Sequence, residues 1–212
     1  MNFGLIIGIM APPFALTKDG IETQFGTNHV GHFLFTTTLI PAFEKAATPR
    51  IVNLSSYAQF MSHKEGIDFE NINNPTKYSV TERYGQSKLA NVLFTKGLVA
   101  HYPKIVSNCV HPGVVHTELL RGPTETYTIL RILKPLVSLF SRLALLTPQQ
   151  GSFATLYAAT STEIDTEKIQ GQYIIPYGKV AEKVHPLAND EAMVEKLWKF
   201  TQDLVNEKLN QQ

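Results

Sequence analysis

The segment Arg50-Ile-Val-Asn-Leu-Ser55, which Ser56 follows, decides the fold. It is short, apolar and β-branched at its centre, a pattern typical of a buried strand. Three further runs of this kind lie at 5–8, 104–110 and 172–176. Helical periodicity occupies the intervals between and beyond these runs, at 19–46, 81–101, 126–146, 148–160 and 189–208.

Strands that alternate with helices predict βαβ units, because parallel strands need a long crossover between them. The runs are apolar almost throughout, as strands covered on both faces require. We therefore predict an α/β fold: part of a Rossmann-like, doubly wound parallel sheet. It would have about four strands, lack the first βαβ units and form a single domain over residues 1–212.

Composition excludes several classes of function. The 212 residues are 43% hydrophobic and 17% charged, so the chain can bury a core. A formal net charge of +1 gives no reason to expect nucleic acid as a partner. The single cysteine, Cys109, cannot form an internal disulfide, and the histidines are not spaced as a metal-binding set.

The N-terminal ten residues are apolar but lack the positive charge and the cleavage site of a signal peptide. No stretch of 18 uncharged apolar residues occurs, as a transmembrane helix would require. The sequence therefore predicts an intracellular protein, either cytoplasmic or peripheral to a membrane.

Tyr84 and Lys88 stand four residues apart in Tyr-Gly-Gln-Ser-Lys, within the predicted helix 81–101. This spacing places both side chains on one helix face, with Cβ atoms roughly 5–6 Å apart. A free tyrosine has a pKa of about 10, and a neighbouring ammonium is expected to lower it by favouring the phenolate. In a chain with 8 tyrosines, one Tyr-x-x-x-Lys pair is close to the number expected by chance. Whether the pair has a function therefore depends on where it lies in the fold.

Polar and flexible groups follow two of the predicted strands. Ser55 and Ser56 close one strand, and His111-Pro-Gly113 closes another, with Thr117 a short step further on. In a doubly wound sheet, ligands sit outside the carboxyl ends of the strands, so these groups are candidates to contact a substrate or cofactor. The alternatives are that the serines merely cap a strand and that the Pro-Gly corner is an ordinary turn.

Together and in this order, these pieces resemble the short-chain dehydrogenase/reductase family, and most closely its retinol-dehydrogenase-like branch. The matching pieces are Gly8-Ile-Met-Ala-Pro12, Thr27-Asn28-His-Val-Gly31-His-Phe33, Arg50-Ile-Val-Asn-Leu-Ser-Ser56, Tyr84-Gly-Gln-Ser-Lys88, and His111-Pro-Gly113 with Thr117. They span nearly the whole chain but only the later two-thirds of the family fold. The resemblance implies oxidoreduction between a lipophilic alcohol and its aldehyde or ketone.

The resemblance also implies residue roles. Tyr84 would act as the general acid/base, and Ser56, rather than Ser55, would polarise the substrate oxygen. Lys88 would lower the Tyr84 pKa and hold the nicotinamide ribose, and Asn28 would kink its helix and hold a water in a proton relay. Cofactor contacts, with NADP(H) slightly favoured over NAD(H), are implied at Gly8, Tyr84, Lys88, Pro112, Gly113, Val115 and Thr117.

The sequence departs from the family where the fold begins. No Gly-x-x-x-Gly-x-Gly is present, and Leu5-Ile-Ile-Gly8 stands where members usually carry Asn-Asn-Ala-Gly. We therefore expect that three strands and their helices, which hold the pyrophosphate, are absent. Two functions stay open: an NAD(P)(H)-dependent oxidoreductase, or a truncated, inactive relative that is a binding or regulatory fragment or the product of an incomplete gene model.

The segment 118–147 is where the family places a lid over the substrate. Its part 124–146 is apolar and cationic, and three interpretations stay open: it lines a hydrophobic pocket, contacts a membrane surface, or packs in the core. An uncovered sheet edge would favour association with another chain. The expected partner is therefore a small lipophilic alcohol or carbonyl compound, with a membrane surface and a second copy of the chain as further candidates.

Overall fold

The computed structural model describes residues 2–5, 7–115 and 145–211, without the side chains of residues 2, 3 and 5. Its strands are β1 Asn2–Leu5, β2 Arg50–Leu54, β3 Val106–Val110, β4 Tyr173–Ile175 and β5 Lys179–Val180. Its helices are α1 Thr23–Phe25, α2 Gly31–Phe43, α3 Val80–His101, α4 Pro148–Thr160, α5 Glu163–Thr166 and α6 Glu191–Leu209. A π-helical turn, Gly26–Val30, joins α1 to α2. Short 3-10 helices lie at Tyr57–Met61, Pro75–Lys77, Pro176–Gly178 and Pro186–Asn189.

The strands form one sheet in the order β1-β2-β3-β4-β5. The first four are parallel, and β5 pairs antiparallel with β4. Helices connect β1 to β2, β2 to β3 and β3 to β4, which is the crossover that parallel pairing requires. The predicted α/β fold with a partial Rossmann-like parallel sheet is confirmed.

The sheet separates two apolar cores. On one face α2, α3 and α6 pack against it, with Phe33, Leu197 and Ile51 in a single buried cluster. On the other face α4 and α5 pack, with Ala158 beside Val52. Successive residues of a strand point to opposite faces, which is why Ile51 and its neighbour Val52 belong to different cores. Burial on both faces explains the continuously apolar strands.

The prediction of a strand at 5–8 was wrong in its position. The strand is Asn2–Leu5, which pairs in register with Arg50–Asn53. Gly8 lies in the connection that follows, and the side chain of Ile7 is 71% exposed. An apolar run can mimic a strand, but here the chain leaves the sheet after Leu5 and carries Gly8 toward Asn28 and Lys88.

The predicted helix 19–46 is shorter and irregular. It begins at Thr23, because the Glu22 carboxylate accepts hydrogen bonds from the backbone N–H groups of Gln24 and Phe25 at 2.8 and 2.9 Å and so caps it. It then passes through the π-helical turn and ends at Phe43. By contrast, α3 and α4 match the predicted 81–101 and 148–160 almost to the residue.

The expected number of strands, about four, omitted β5. This strand has two residues, too few for a periodic signal, and it follows a tight turn in which Tyr177 and Gly178 have φ of 66° and 75°. The predicted helix 126–146 and lid 118–147 lie outside the described residues, apart from their last two or three positions. Within the described ranges, no helix is long and apolar enough to cross a bilayer.

Candidate active site

Helix α3 brings Tyr84 and Lys88 together on one face, as their spacing predicts. The Lys88 Nζ lies 5.6 Å from the centroid of the Tyr84 ring. Both residues are buried, with 7% of Tyr84 and 2% of Lys88 exposed. Lys88 Nζ also donates to the backbone oxygen of Leu54, the last residue of β2, over 3.5 Å. The pair therefore lies at the carboxyl end of a central strand, where doubly wound folds place their ligands.

Ser55 and Ser56 have different partners. The Ser55 hydroxyl is buried and donates to the backbone oxygen of Lys88 at 2.7 Å, which ties β2 to α3. Ser56 lies at the N-terminus of the following 3-10 helix and accepts from Ala58 N at 3.2 Å. Its side chain also hydrogen-bonds Tyr84, and this contact favours the phenolate. Ser56, not Ser55, is the serine that the structure places with Tyr84.

The pKa of Tyr84 does not move in the direction expected from Lys88. Burial raises the Tyr84 pKa to about 12, because removing the phenolate from water costs more than the Ser56 hydrogen bond returns. Burial also lowers the pKa of Lys88 to about 8. Near neutral pH, Tyr84 therefore keeps its proton, and Lys88 is charged but close to its titration point.

Asn28 lies in the π-helical turn, where the helix departs from regular geometry. Its side chain Oδ1 accepts from Ile9 N at 2.8 Å, and its Nδ2 donates to Ile9 O and to Ser87 Oγ, each at 2.9 Å. The side chain therefore binds the loop after β1 to α3. Its backbone oxygen accepts from Asn91 Nδ2 at 2.9 Å.

Gly8 leaves room between Asn28 and Lys88. A Cβ at this position would lie 3.2 Å from Asn28 Oδ1 and 3.3 Å from Lys88 Nζ. Both contacts involve the side chains implied in proton transfer, so any larger residue would press on the centre of the site. The absence of a side chain here is a local reason for glycine.

The residues of the Pro-Gly corner lie in the loop after β3. Gly113 has a φ of 85°, and a Cβ there would lie 2.6 Å from Leu146 Cδ1, so glycine is required twice over. Pro112 is half-buried. The side chain of Val115 packs toward α4, where a Cβ on Gly151 would meet it at 2.4 Å. Thr117, also implied as a cofactor contact, lies outside the described residues.

The nicotinamide end of a dinucleotide fits these residues. Lys88 is a buried ammonium whose hydrogen bond to Leu54 O is long, at 3.5 Å, and buried ammonium groups need acceptors, which ribose hydroxyls would supply. Gly8 lies beside this ammonium, whereas the space beside Gly113 is occupied by Leu146 and Pro176. The residues that would hold the pyrophosphate are not among those that the sequence motifs identify.

Two residues of the site were missed at the level of sequence. Asn91 follows Lys88 by three positions and donates to Asn28 O and Leu54 O. His32 is 5% exposed, and burial, with the charge of Lys88, lowers its pKa to about 4. The i+3 spacing from Lys88 was the available signal for Asn91. No cluster of His, Cys, Asp or Glu suited to a metal ion occurs in the described part of the chain.

Fold and site together define a class: a Rossmann-like α/β protein with a buried Tyr–Lys pair at the carboxyl end of its sheet. No family model matches the chain. An oxidoreductase of Schizosaccharomyces pombe is 40% identical over 205 residues, covering 92% of this chain and 58% of that protein. Human retinol dehydrogenase 14 is 37% identical over 202 residues, covering 93% and 56%. The homologues of the chain are therefore oxidoreductases of the short-chain dehydrogenase/reductase family, and they include retinol dehydrogenases.

Solved structures agree with this family fold. A protein from Mycobacterium paratuberculosis superposes with a TM-score of 0.62 at 30% identity, over 94% of this chain and 64% of its own. The NADPH-bound carbonyl reductase from chicken fatty liver shares the fold, with a TM-score of 0.55 at 20% identity, over 84% of this chain and 64% of its own. The chain thus spans about three-fifths of the length of the curated relatives named above.

Proposed function

We propose that this protein is an NAD(P)(H)-dependent oxidoreductase that interconverts a lipophilic alcohol and its aldehyde or ketone. The observation that carries the proposal is the juxtaposition of Tyr84, Ser56 and Lys88 at the carboxyl end of β2. Relatives named as an oxidoreductase and as a retinol dehydrogenase support the reaction class and a lipophilic alcohol as substrate.

Each residue has a chemical task in carbonyl reduction. The bound cofactor would supply the hydride that reaches the carbonyl carbon. The Tyr84 hydroxyl, protonated at neutral pH, gives its proton to the carbonyl oxygen, while the Ser56 hydroxyl donates a hydrogen bond to that oxygen. The Lys88 ammonium stabilises the phenolate that remains. Alcohol oxidation uses the same groups in reverse.

The surface next to the site supports a lipophilic substrate. The 3-10 helix that begins after Ser56 exposes three large apolar side chains: Tyr57 by 68%, Phe60 by 37% and Met61 by 51%. Backbone of this helix packs directly against α3 at Gly85, the residue after Tyr84. Apolar side chains that remain exposed beside polar catalytic groups are typical of a site that binds an apolar molecule.

The proposal is tested by turnover. The purified chain is assayed with NADPH and with NADH against a panel of aldehydes and ketones of increasing chain length. Tyr84→Phe keeps the ring but removes the proton donor, and we expect a loss of at least about 10²-fold in kcat. Tyr78→Phe is the matched control, because the Tyr78 hydroxyl binds Pro12 O and Gln24 rather than the site. No turnover by the unaltered chain at millimolar nucleotide would reject catalysis.

A second candidate function is binding without catalysis. Its support is the sequence Leu5-Ile-Ile-Gly8, which stands where the resemblance to the family predicts two polar residues. Thermal unfolding with and without nucleotide separates the two candidates, since a ligand at 100 times its Kd stabilises the folded state by about 2.7 kcal/mol. The oxidoreductase proposal expects a rise in Tm that Lys88→Met reduces, and the alternative expects no rise.

A further inference from the structure

A chain of buried polar side chains runs from α6 to the Tyr84–Lys88 site. Thr201 on α6, His29 in the π-helical turn and Asn91 on α3 are each fully buried. His29 Nε2 lies 3.0 Å from Thr201 Oγ1, and His29 Nδ1 lies 3.4 Å from Asn91 Oδ1. The imidazole is otherwise surrounded by Phe25, Phe33 and Phe94. Polar groups this deep in an aromatic cluster destabilise the fold unless all are satisfied.

The orientation of the Asn91 amide is fixed by its two acceptors. Its Nδ2 donates to Asn28 O and to Leu54 O, each at 2.9 Å, and so uses both of its protons. The flipped amide would place Oδ1 against two carbonyl oxygens, an arrangement of acceptors alone. Asn91 Oδ1 therefore faces His29 and needs a hydrogen-bond donor there.

This need fixes the tautomer of His29. Burial lowers the pKa of His29 to about 3, so the ring is neutral at physiological pH and carries one proton. Because Asn91 Oδ1 only accepts, that proton is on Nδ1, and Nε2 accepts from the Thr201 hydroxyl. The Thr201 hydroxyl has one proton, so when it donates to His29 Nε2 it no longer donates to Leu197 O, which lies 2.9 Å away. Leu197 O still accepts the backbone hydrogen bond of the helix. All donors thus point from α6 toward Asn91.

The chain of hydrogen bonds ends beside Lys88. Leu54 O accepts both from Asn91 Nδ2 and from Lys88 Nζ, and a carbonyl oxygen has two lone pairs for this. Asn28, whose backbone oxygen is the other acceptor, holds the loop that carries Gly8 against Lys88. Asn91 therefore ties the end of β2 to the π-helical turn at the place where the ammonium lies.

We infer that Asn91 and His29 are positioning residues: through the Thr201–His29–Asn91 hydrogen bonds they hold the Leu54 and Asn28 carbonyls that set the place of Lys88. The inference rests on the oxidoreductase function proposed above. Neither residue contacts the reacting atoms. Their effect passes through Lys88, whose surroundings also include the Tyr84 ring, Cys109 and His32.

The kinetic test uses Asn91→Leu, with Asn108→Leu as its matched control. Asn108 is an equally buried asparagine with two backbone partners, Ile169 O and Gln172 N, on the other side of β3 from Cys109. Asn91→Leu is expected to lower kcat about 10- to 100-fold with little change in KM, because small displacements of a catalytic group cost this much. The alkaline limb of its pH–rate profile should move to lower pH, and that of Asn91→Asp to higher pH. Asn108→Leu should lower only Tm.

A rescue pair tests His29. Asn at position 29 can present an amide donor near the place of Nδ1, whereas Phe keeps the ring packing and has no donor. His29→Asn should retain most of kcat, and His29→Phe should match Asn91→Leu. Equal pH profiles for Asn91→Leu and the unaltered chain, or equal kcat for the two His29 variants, would overturn the inference.

A measurement independent of turnover separates this inference from the proposed function. In ¹⁵N spectra of the unaltered chain, the His29 ring should show a protonated Nδ1 and an unprotonated Nε2 throughout pH 5.5–8. The Lys88 ¹³Cε resonance, assigned with Lys88→Arg, should shift in Asn91→Leu but not in Asn108→Leu. An Nε2–H tautomer, or an unmoved Lys88 resonance, rejects positioning even if the enzyme is active. Absence of turnover with both spectral results as expected rejects only the proposed catalysis.

Discussion

Burial acts in opposite directions on the two central residues. It raises the pKa of Tyr84 to about 12 and lowers that of Lys88 to about 8. In each case the neutral form is more favoured than it is for the same side chain in water. In the proposed reaction the Tyr84 phenolate would therefore form beside a Lys88 that is charged near neutral pH but close to its titration point. The buried ammonium destabilises the folded chain, a cost that is expected if Lys88 has the catalytic role proposed for it.

Lys88→Met should therefore stabilise the chain while removing activity. The folded-state pKa of about 8 lies below the ordinary lysine pKa of 10.5, a difference that corresponds to about 3 kcal/mol at pH values below 8. Between pH 8 and 10.5 the unfolded chain binds more protons, so the stability of the unaltered chain rises with pH across this window. The advantage of Lys88→Met should be about 2–3 kcal/mol at pH 7 and much smaller at pH 9.5, as measured by urea unfolding.

Lys199→Met is the control for this measurement. Lys199 pairs with Asp203 at 2.9 Å on the surface of α6, with 74% of its side chain exposed. Its loss should change the free energy of unfolding by less than about 1 kcal/mol at either pH. If Lys88→Met is no more stable than the unaltered chain at pH 7, desolvation of the Lys88 ammonium does not destabilise the folded state.

At the scale of elements, the site depends on how closely α3 meets the 3-10 helix Tyr57–Met61. Gly85 is the point of contact: a Cβ there would lie 2.6 Å from Ala58 O and from Met61 C, and 2.7 Å from Ser62 N. All three atoms belong to backbone, so rotamer changes cannot relieve the overlap. This contact holds Ser56, at the start of the 3-10 helix, near Tyr84 on α3.

Gly85→Ala should therefore cost about 1–3 kcal/mol in the free energy of unfolding and should reduce kcat by displacing Ser56. Gly31→Ala, at the start of α2, provides the contrast, since its Cβ would meet only Gly26 O, at an ordinary 3.4 Å. That change should be neutral or stabilising by up to about 1 kcal/mol, as expected for alanine in a helix. Urea unfolding and kcat for both variants give the comparison, and similar losses would contradict the argument.

The sequence predicts those elements whose signal is local. Helix α3 and the Tyr84–Lys88 pair follow from helical spacing, and β2 and β3 follow from apolar runs. The position of β1 does not, because the apolar run at 5–8 overlaps the strand Asn2–Leu5 only at Leu5. The link from His29 to Thr201 joins residues 172 positions apart, and no local pattern indicates it. The direction of the Tyr84 pKa shift depends on burial, which is a property of the folded chain.

At the scale of the molecule, one edge of the sheet differs from the other. Within the described residues, β1 pairs only with β2, whereas the opposite edge ends in the two-residue strand β5. Helix α4 covers one side of β1, with Thr155 Cγ2 3.7 Å from the place of a Cβ on Gly4. The same helix exposes 51% of Phe153 and 56% of Leu156. A strand edge beside exposed apolar side chains is a surface on which chains associate.

The isolated chain should therefore self-associate, and the double variant Phe153→Asp, Leu156→Asp should reduce the association. Leu209→Asp is the matched control, because Leu209 is 51% exposed but lies at the far end of α6. Sedimentation velocity over a concentration series should show a weight-average coefficient that rises with concentration for the unaltered chain and for the control, and stays near the monomer value for the double variant. The reason is electrostatic as well as hydrophobic, since two carboxylates would be buried without partners in any such contact. An unaltered chain that stays monomeric at all concentrations would contradict the predicted self-association. A Leu209→Asp control that dissociates as much as the double variant would show that the association does not depend on Phe153 and Leu156.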